Sequence, residues 1–236
     1  MPTSTAPSTA RERARIEITQ EILNTARDHL TKDGAAALSL RAVARDLGMV
    51  SSAIYRYVPN RDSLLTMLII DAYDSLGADV EKAERTVRRE AHLERFLTTC
   101  QAVRTWALAH PQEYALIYGS PVPGYAAPAD TIVPASRVPA VLITILIDMH
   151  SRGRQPKPTP VEPLVSTAIA DLRMFSGGLL PDDLLLRGMA AWSSLFGAIS
   201  FELFGHLHNV VADGSKYRKA YFDHQMRQVA LGLRLG

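Results

Sequence analysis

Residues 38–65 read LSLRAVARDLGMVSSAIYRYVPNRDSLL, and this stretch predicts two short helices joined by a tight turn. Its first half carries one apolar helical face, spaced at i, i+3, i+4 and i+7 and formed by Leu40, Val43, Ala44 and Leu47. Ser39 stands where a helix N-cap is expected, and Gly48 supplies the backbone freedom that ends a helix. The first helix of the pair is therefore about two turns long.

The second helix of the pair is predicted at residues 51–57, because Pro59 cannot continue a helix. Ile54 and Val58 are four residues apart and would face a helical base. The side chains left to point outward are Ser51, Ser52, Ala53, Tyr55, Arg56 and Tyr57. A short helix that projects from a compact base fits the major groove of DNA, which is about 12 Å wide. The pattern therefore indicates a helix-turn-helix.

Longer helices are predicted on both sides of this pair. From residue 11 to residue 30 an apolar stripe repeats every four residues, and Gly34 follows it as a helix stop. After Pro59, Asn60 can cap a fourth helix with an apolar face that runs from Leu64 to Leu76. Four helices thus occupy roughly the first seventy residues.

The rest of the chain also has helical periodicity and no convincing alternation of the kind that strands show. Further helices are predicted at 91–109, 111–118, 131–150, 162–175, 181–208 and 215–233. Two proline-rich loops, 120–128 and 153–160, interrupt them. The predicted fold class is all-α.

Composition and charge narrow the functional class. The chain has 236 residues, 47% of them hydrophobic, which is enough for one large or two modest cores. Residues 1–61 hold nine Lys and Arg against six Asp and Glu, whereas the remainder holds 17 against 18. The basic excess at the front suits a nucleic-acid surface, although an excess this small is also common on ordinary solvated faces.

The sequence predicts a cytoplasmic protein that does not insert into a membrane. The single cysteine, Cys100, excludes an internal disulfide and fits a reducing compartment. Residues 1–10 lack the features of a secretory signal and are expected to form a disordered tail. The most hydrophobic stretch, 184–204, is interrupted by Arg187 and Glu202, so no membrane span is expected.

Catalytic and metal-binding patterns are not found in the sequence. His206 and His208 are two residues apart, which places them on different faces of a helix. No phosphate-binding loop, dinucleotide motif or nucleophile elbow occurs. We therefore expect no enzyme activity, no cofactor and no metal.

The stretch 38–65 resembles the helix-turn-helix of the tetracycline-repressor (TetR) family of transcriptional regulators. The resemblance rests on the glycine turn, the pair Ile54-Tyr55, the aromatic Tyr57 and the entry into the fourth helix at residues 59–61. It implies a DNA-binding domain at 11–60 and a helical ligand-sensing and dimerisation domain at 61–236. It also implies that DNA contacts come from Ser39, Arg41, Ser51, Ser52, Ala53, Tyr55, Arg56, Tyr57 and Arg61.

Individual roles follow from the same resemblance. Ser39 and Arg41 would contact phosphate from the second helix, and Arg61 would clamp a phosphate near the start of the fourth. Residues 51–53 would face the bases, while residues 55–57 would contact phosphates and bases. Taken alone, the two tyrosines could equally be half-buried helix aromatics and Arg56 a solvated cation.

The chain departs from the family pattern at the start of the recognition helix. Many members have Ser and Lys where this chain has Val50 and Ser51, which removes one basic contact. Three arginines near the N-terminus, Arg11, Arg13 and Arg15, are candidates to replace it through phosphate or minor-groove contacts.

A small-molecule effector would need a cavity in the second domain. Aromatic, methionine and sparse polar residues are the candidates for its lining, namely Trp106, Tyr114, Tyr118, Tyr125, Met149, Arg173, Phe175 and Trp192. The alternative is that these residues are ordinary core. Arg173 could pair with an anionic ligand or with an internal carboxylate such as Asp171 or Asp148.

The last two predicted helices, 181–208 and 215–233, are candidates for a homodimer interface. The first is apolar nearly all round and must be covered on more than one side. A partner subunit would provide that cover, as the family resemblance implies, although a core within one chain would explain the same hydrophobicity.

The expected function is a repressor that a small molecule releases from a DNA operator. Within the same class, an activator or a DNA-binding protein without an inducer fits the sequence as well. The alternative of a second class is an all-α small-molecule-binding protein or enzyme whose front helices are only structural. Deletion of residues 1–60 would leave the activity of the second kind of protein intact and would abolish that of the first.

Overall fold

The computed structural model describes residues 9–152 and 158–235. Within these residues the chain forms α-helices and short 3-10 turns and no strand, so the all-α prediction is confirmed. The helices are α1 (Ala10–Asp33), α2 (Leu40–Asp46), α3 (Ser51–Ile54), α4 (Arg61–Glu84), α5 (His92–Ala109), α6 (Pro111–Tyr118), α7 (Ile132–Ala135), α8 (Arg137–Arg152), α9 (Pro163–Ala168), α10 (Ala170–Phe175), α11 (Asp182–Leu203) and α12 (Ser215–Leu233). The expected tail, apart from Thr9 and Ala10, and residues 153–157 lie outside the described residues.

Beyond α6, three of the predicted helices differ from the observed ones. The helix predicted at 131–150 is divided into α7 and α8, because Pro139 has no N–H and its ring conflicts with the carbonyl four residues earlier. The helix predicted at 162–175 is divided at Ile169, whose ψ of 19° leaves the helical range. The helix predicted to end at His208 ends at Leu203, shortly before Gly205 with its φ of 82°.

The chain divides into two compact units. The N-terminal unit contains the chain up to Tyr73 together with Gln112–Ile132, and the C-terminal unit contains Asp74–Pro111 and the chain from Val133 onward. The N-terminal unit is thus larger than the segment 11–60 that the sequence suggested, because the fourth helix and a distant segment contribute to its core.

The core of the N-terminal unit is built from the apolar stripes of its first four helices. Fully buried members are Ile22, Ala26, Val43, Ala44, Ile54, Val58, Leu64 and Leu65. Ile54 and Val58 come from the recognition helix and the residues that follow it, so their predicted inward orientation is confirmed. Burial of a side chain of this size contributes roughly 1.5–3 kcal/mol.

The segment 112–132 packs against this same core. Leu116, Val122 and Tyr125 contact it, and the Tyr125 hydroxyl lies 2.9 Å from the Thr66 hydroxyl of α4. The proline-rich loop that contains Val122 and Tyr125 is therefore part of the helix-turn-helix unit.

The C-terminal unit is organised around α5, which contacts α8, α11 and α12. One bidentate ion pair joins α5 to α11: the Arg104 guanidinium donates to both Glu202 oxygens at 2.7 and 2.5 Å. Both side chains are 6% exposed, and the Phe222 ring of α12 lies 5.4 Å from the guanidinium carbon. Three helices therefore meet at a single buried charge pair.

A second ionic cluster joins α4, α5 and α8. Arg95 donates to Glu84 of α4 at 2.5 Å and to Asp148 of α8 at 2.7 Å, and Arg89 also binds Asp148. Burial of Asp148 opposes its ionised form, but the hydrogen bonds and charges of the two arginines outweigh it, so the pKa of this carboxyl is lowered. The cluster is therefore charged at neutral pH.

Helix α11 is long and apolar enough to cross a membrane by length and composition alone. Its contacts with α5, α8 and α12 and its ion pair with Arg104 are typical of a core helix in a helical domain. Part of its apolar surface is buried within the C-terminal unit, whereas Met189 and Phe201 stay exposed.

Loss of one partner of the Arg104–Glu202 pair should destabilise the protein strongly. Arg104→Met leaves the Glu202 carboxylate buried without a counter-charge, and we expect it to lower the free energy of unfolding by about 3–5 kcal/mol. Denaturant unfolding followed by circular dichroism measures this change. Lys219→Gln, which removes an exposed ion pair with Asp223, should cost less than about 0.5 kcal/mol and is the control.

The double variant Arg104→Met/Glu202→Met should recover most of the loss, because two apolar side chains replace the pair. If the single variant is as stable as the Lys219 control, the buried pair does not hold the three helices together.

Candidate nucleic-acid interface and sensor cleft

The segment expected to contact DNA, residues 51–57, is called the recognition element here. It follows the turn between α2 and α3. Gly48 has a φ of 66°, in the left-handed region that glycine adopts without strain. The turn closes with two backbone hydrogen bonds, from Gly48 N to the Arg45 oxygen at 3.0 Å and from Met49 N to the Ala44 oxygen at 2.8 Å. These bonds set the direction in which α3 leaves the unit.

Helix α3 is shorter than the sequence suggested. It is α-helical only from Ser51 to Ile54, and the chain then continues as tighter turns in which Arg56 N bonds the Ala53 oxygen and Tyr57 N bonds the Ile54 oxygen. The approach of Pro59, which cannot donate a backbone hydrogen bond, favours this tightening.

The outward side of this element carries most of the predicted DNA contacts. Ser51, Ser52 and Arg56 are exposed, Tyr55 is 44% exposed, and Ala53 and Tyr57 are partly buried. On α2, Arg41 is exposed and the Ser39 hydroxyl makes no capping hydrogen bond. Arg41 and Arg56 have no carboxylate within 4 Å in the described part of the chain.

Arg61 has a different environment from the other predicted contacts. Its guanidinium donates to the backbone oxygens of Ala35, Ala36 and Leu38, at 2.9, 3.1 and 3.2 Å. These residues form the connector between α1 and α2. The side chain that was expected to clamp a phosphate is therefore engaged with carbonyl groups inside the unit.

An open cleft of about 1090 Å³ lies in the C-terminal unit, between α5 and α12. Its apolar lining includes Leu97, Ala102, Trp106, Phe222 and Met226, and Met149 of α8 also borders it. The His110 ring stacks on Trp106 with centroids 5.0 Å apart. The cleft therefore combines a stacked aromatic pair with an apolar lining.

Polar groups line the same cleft. Gln101 donates to the Thr105 hydroxyl at 3.1 Å, while its own side-chain oxygen is buried without a hydrogen-bond partner in the described structure. Arg227 of α12 and Arg234, which follows the end of that helix, border the cleft and have no carboxylate within 4 Å among the described residues. Burial, with the nearby charge of Arg95, lowers the pKa of His92, so this ring is neutral near pH 7.

Comparisons with known proteins identify the same family in two parts of the chain. A family model described as bacterial regulatory proteins, tetR family, matches residues 22–68, and one described as tetracyclin repressor-like, C-terminal domain, matches residues 96–229. The HTH-type transcriptional regulator Rv1816 of Mycobacterium tuberculosis H37Rv is 40% identical over 197 residues, which cover 83% of this chain and 84% of the relative.

The chain belongs to the TetR family of transcriptional regulators. It is a DNA-binding regulator, as its relatives are named, and the resemblance seen in the sequence is confirmed. The crystal structure of the regulatory protein SCO4313 is similar at 32% identity, with a TM-score of 0.76 and coverage of 94% of this chain and 98% of that one. PfmR from Thermus thermophilus shares the fold at 18% identity, with a TM-score of 0.56 and coverage of 90% and 97%.

The structure of this TetR-family chain distributes the predicted ligand residues over several places. Trp106 and Met149 border the cleft. Tyr114, Tyr118 and Tyr125 lie in the N-terminal unit, where the rings of Tyr114 and Tyr118 are 5.3 Å apart. Their role as ligand contacts stays a prediction.

The other three predicted ligand residues lie elsewhere in the C-terminal unit. Arg173 forms a bidentate pair with Asp182, at 2.9 and 2.8 Å, instead of pairing with the carboxylates that the sequence suggested. Phe175 is 44% exposed at the end of α10, and Trp192 of α11 packs on Phe196 with centroids 4.4 Å apart. None of the three is among the residues that border the cleft.

Sequence reasoning missed the contribution of α12 to the cleft. Phe222 and Met226 are four residues apart, and Arg227 is next to them on the same helix. This apolar spacing is visible in the sequence, but the sequence analysis predicts only a dimer interface for this helix. One amphipathic helix can present one face to a cavity and another to a partner.

Proposed function

We propose that this TetR-family regulator is a cytoplasmic, non-catalytic repressor that a small molecule releases from its operator. The single observation that carries the DNA-binding part is the exposed element 51–57, held by Ile54 and Val58, which are both fully buried. Its small residues can approach base edges, and Tyr55, Arg56 and Tyr57 can contact bases and phosphates. Ser39 and Arg41 at the start of α2 add phosphate contacts.

The cleft between α5 and α12 is the proposed effector site. A volume of about 1090 Å³ suits a drug-sized molecule. The apolar floor with Trp106 and Phe222 would take a hydrocarbon or aromatic part, and Gln101 with the two rim arginines would take a polar or anionic part. A ligand that binds more tightly to the DNA-free state shifts the population off the operator.

Dimerisation through α11 and α12 completes the proposal. Members of the family act as dimers. This pair of helices exposes the large apolar side chains Phe201, Tyr217, Tyr221 and Leu231, and Phe204, just after α11, is exposed as well. Between the helices lies a notch of about 210 Å³, lined in part by the small residues Ser194, Gly197 and Ala198. A second copy would cover the aromatic side chains and fill the notch, and two copies would supply the two recognition helices that a palindromic operator requires.

Removal of two exposed recognition side chains should strongly weaken specific DNA binding. We expect Tyr55→Ala/Arg56→Ala to weaken binding at least about 100-fold on a duplex that the wild-type protein selects from random DNA, since each base or phosphate contact contributes about 1–3 kcal/mol. Fluorescence anisotropy in excess non-specific competitor measures this. The control Arg85→Ala removes an arginine side chain that is 70% exposed just after the end of α4 and should bind as the wild type does.

If the double variant binds that duplex as tightly as the wild type, residues 55 and 56 do not read DNA. Retention of an activity in a protein that lacks residues 1–60 would favour the competing possibility of a ligand-binding protein or enzyme with structural front helices.

A charge placed on the α11–α12 face should dissociate the dimer. Phe201 is 54% exposed, and a carboxylate at this position would be buried without a partner in the proposed interface. We expect Phe201→Glu to sediment as a monomer at micromolar concentration in analytical ultracentrifugation. Leu108→Glu, at an apolar position on α5 that is 41% exposed, should remain a dimer. A dimeric Phe201 variant would place the interface elsewhere.

A further inference from the structure

Arg61 is the first residue of α4, and its guanidinium forms hydrogen bonds to the backbone of the connector between α1 and α2. The Nε atom donates to the Leu38 oxygen at 3.2 Å, and one terminal nitrogen donates to the oxygens of Ala35 and Ala36 at 2.9 and 3.1 Å. The side chain is 32% exposed and lies 3.9 Å from the carboxylate of Asp62. One guanidinium thus holds three carbonyls of the connector between α1 and α2.

Besides Arg61, the connector is held by the buried Leu38 side chain and by two long backbone hydrogen bonds, from Ala37 N to the Gly34 oxygen at 3.3 Å and from Leu38 N to the Ala35 oxygen at 3.4 Å. It consists of Gly34, the 3-10 turn Ala35–Ala37 and Leu38, and a turn of three residues satisfies few of its own carbonyls. Alanine side chains offer no hydrogen bonds. The planar guanidinium carries five donors in a rigid fork, whereas the ammonium of a lysine is a single compact group and cannot span the same three acceptors.

The connector leads directly into the DNA-facing start of α2. Ser39 follows Leu38 as the N-cap residue, and Arg41 stands in the first turn. Leu38 itself is 3% exposed and belongs to the core. The contacts of Arg61 therefore link the first turn of α4 to the position of two residues that are proposed to meet phosphate.

We propose that Arg61 is a positioning residue for DNA binding, which places Ser39 and Arg41 against the DNA backbone by holding the connector, and that it does not contact phosphate itself. This inference rests on the proposed DNA-binding function. It replaces the role expected from the family resemblance, in which Arg61 clamps a phosphate. The two roles predict different effects of Arg61→Lys on the affinity for DNA.

The test compares Arg61→Lys and Arg61→Met on the duplex that the wild type selects, over a range of salt concentrations. If Arg61 holds the connector, both variants lose the three-carbonyl contact, and both should bind roughly tenfold more weakly than the wild type. The slope of log K against log salt should fall by the same amount in both variants, because each displaces Arg41 from phosphate to the same extent. Arg85→Lys, just after the end of α4, is the matched control.

A double-mutant cycle with Arg41 separates positioning from general stability. The cost of Arg41→Ala for DNA binding should be smaller in the Arg61→Lys background, because Arg41 is already misplaced there. A role limited to folding would lower the melting temperature and leave the affinity of the folded protein unchanged, and that result would overturn the proposal. Arg61→Lys keeps charge and length, so it provides the decisive comparison even where Arg61→Met fails to fold.

The phosphate-clamp role gives the opposite pattern. Arg61→Lys would then bind nearly as the wild type does, and Arg61→Met would reduce the salt slope by about 0.9 for the lost contact. Absence of any competitor-resistant DNA binding by the wild type is a separate outcome. It would remove the proposed function and this inference together, whereas normal wild-type binding with an unaffected lysine variant would remove only the inference.

Discussion

The recognition element depends on the burial of two aliphatic side chains. Helix α3 has four residues, and a helix this short has no stability of its own in water. Ile54 and Val58 are fully buried among residues of α1, α2 and α4, and this burial replaces the missing helical stability. The surface of the element is therefore free to carry serine, alanine, tyrosine and arginine, which suit DNA contact, and of these Tyr57 also packs against the core.

The same constraint explains why the N-terminal unit extends beyond the local sequence motif. A core that must hold a one-turn helix needs apolar cover from several sides. Leu64, Leu65 and Leu68 of α4 supply part of it, and Leu116, Val122 and Tyr125 from a segment about fifty residues later supply more. The proline-rich loop, which could have been a mere connector, has a packing role because its apolar side chains reach that core.

The parts of the structure that follow from local periodicity were predictable, and those that follow from distant pairing were not. Helices α6 and α12 have the predicted bounds, because Pro111 and Gly214 mark their starts and continuous apolar stripes define them. The break before α8 was also available from Pro139, whose effect on the residue four positions earlier is a local rule. Arg104 and Glu202 are 98 residues apart, and no spacing in the sequence joins them. The cleft was missed for the same reason, because it depends on which face of α12 meets α5.

The central claim is that residues 51–57 read specific DNA as part of a symmetric pair. The most direct measurement is a footprint of the purified protein on its own upstream intergenic DNA, with excess non-specific competitor and at two salt concentrations. The account predicts two protected half-sites related by a two-fold axis, with centres about 34–36 Å apart or a multiple of that distance, and protection that persists in competitor. Protection that disappears in competitor, or a single unpaired site, would contradict it.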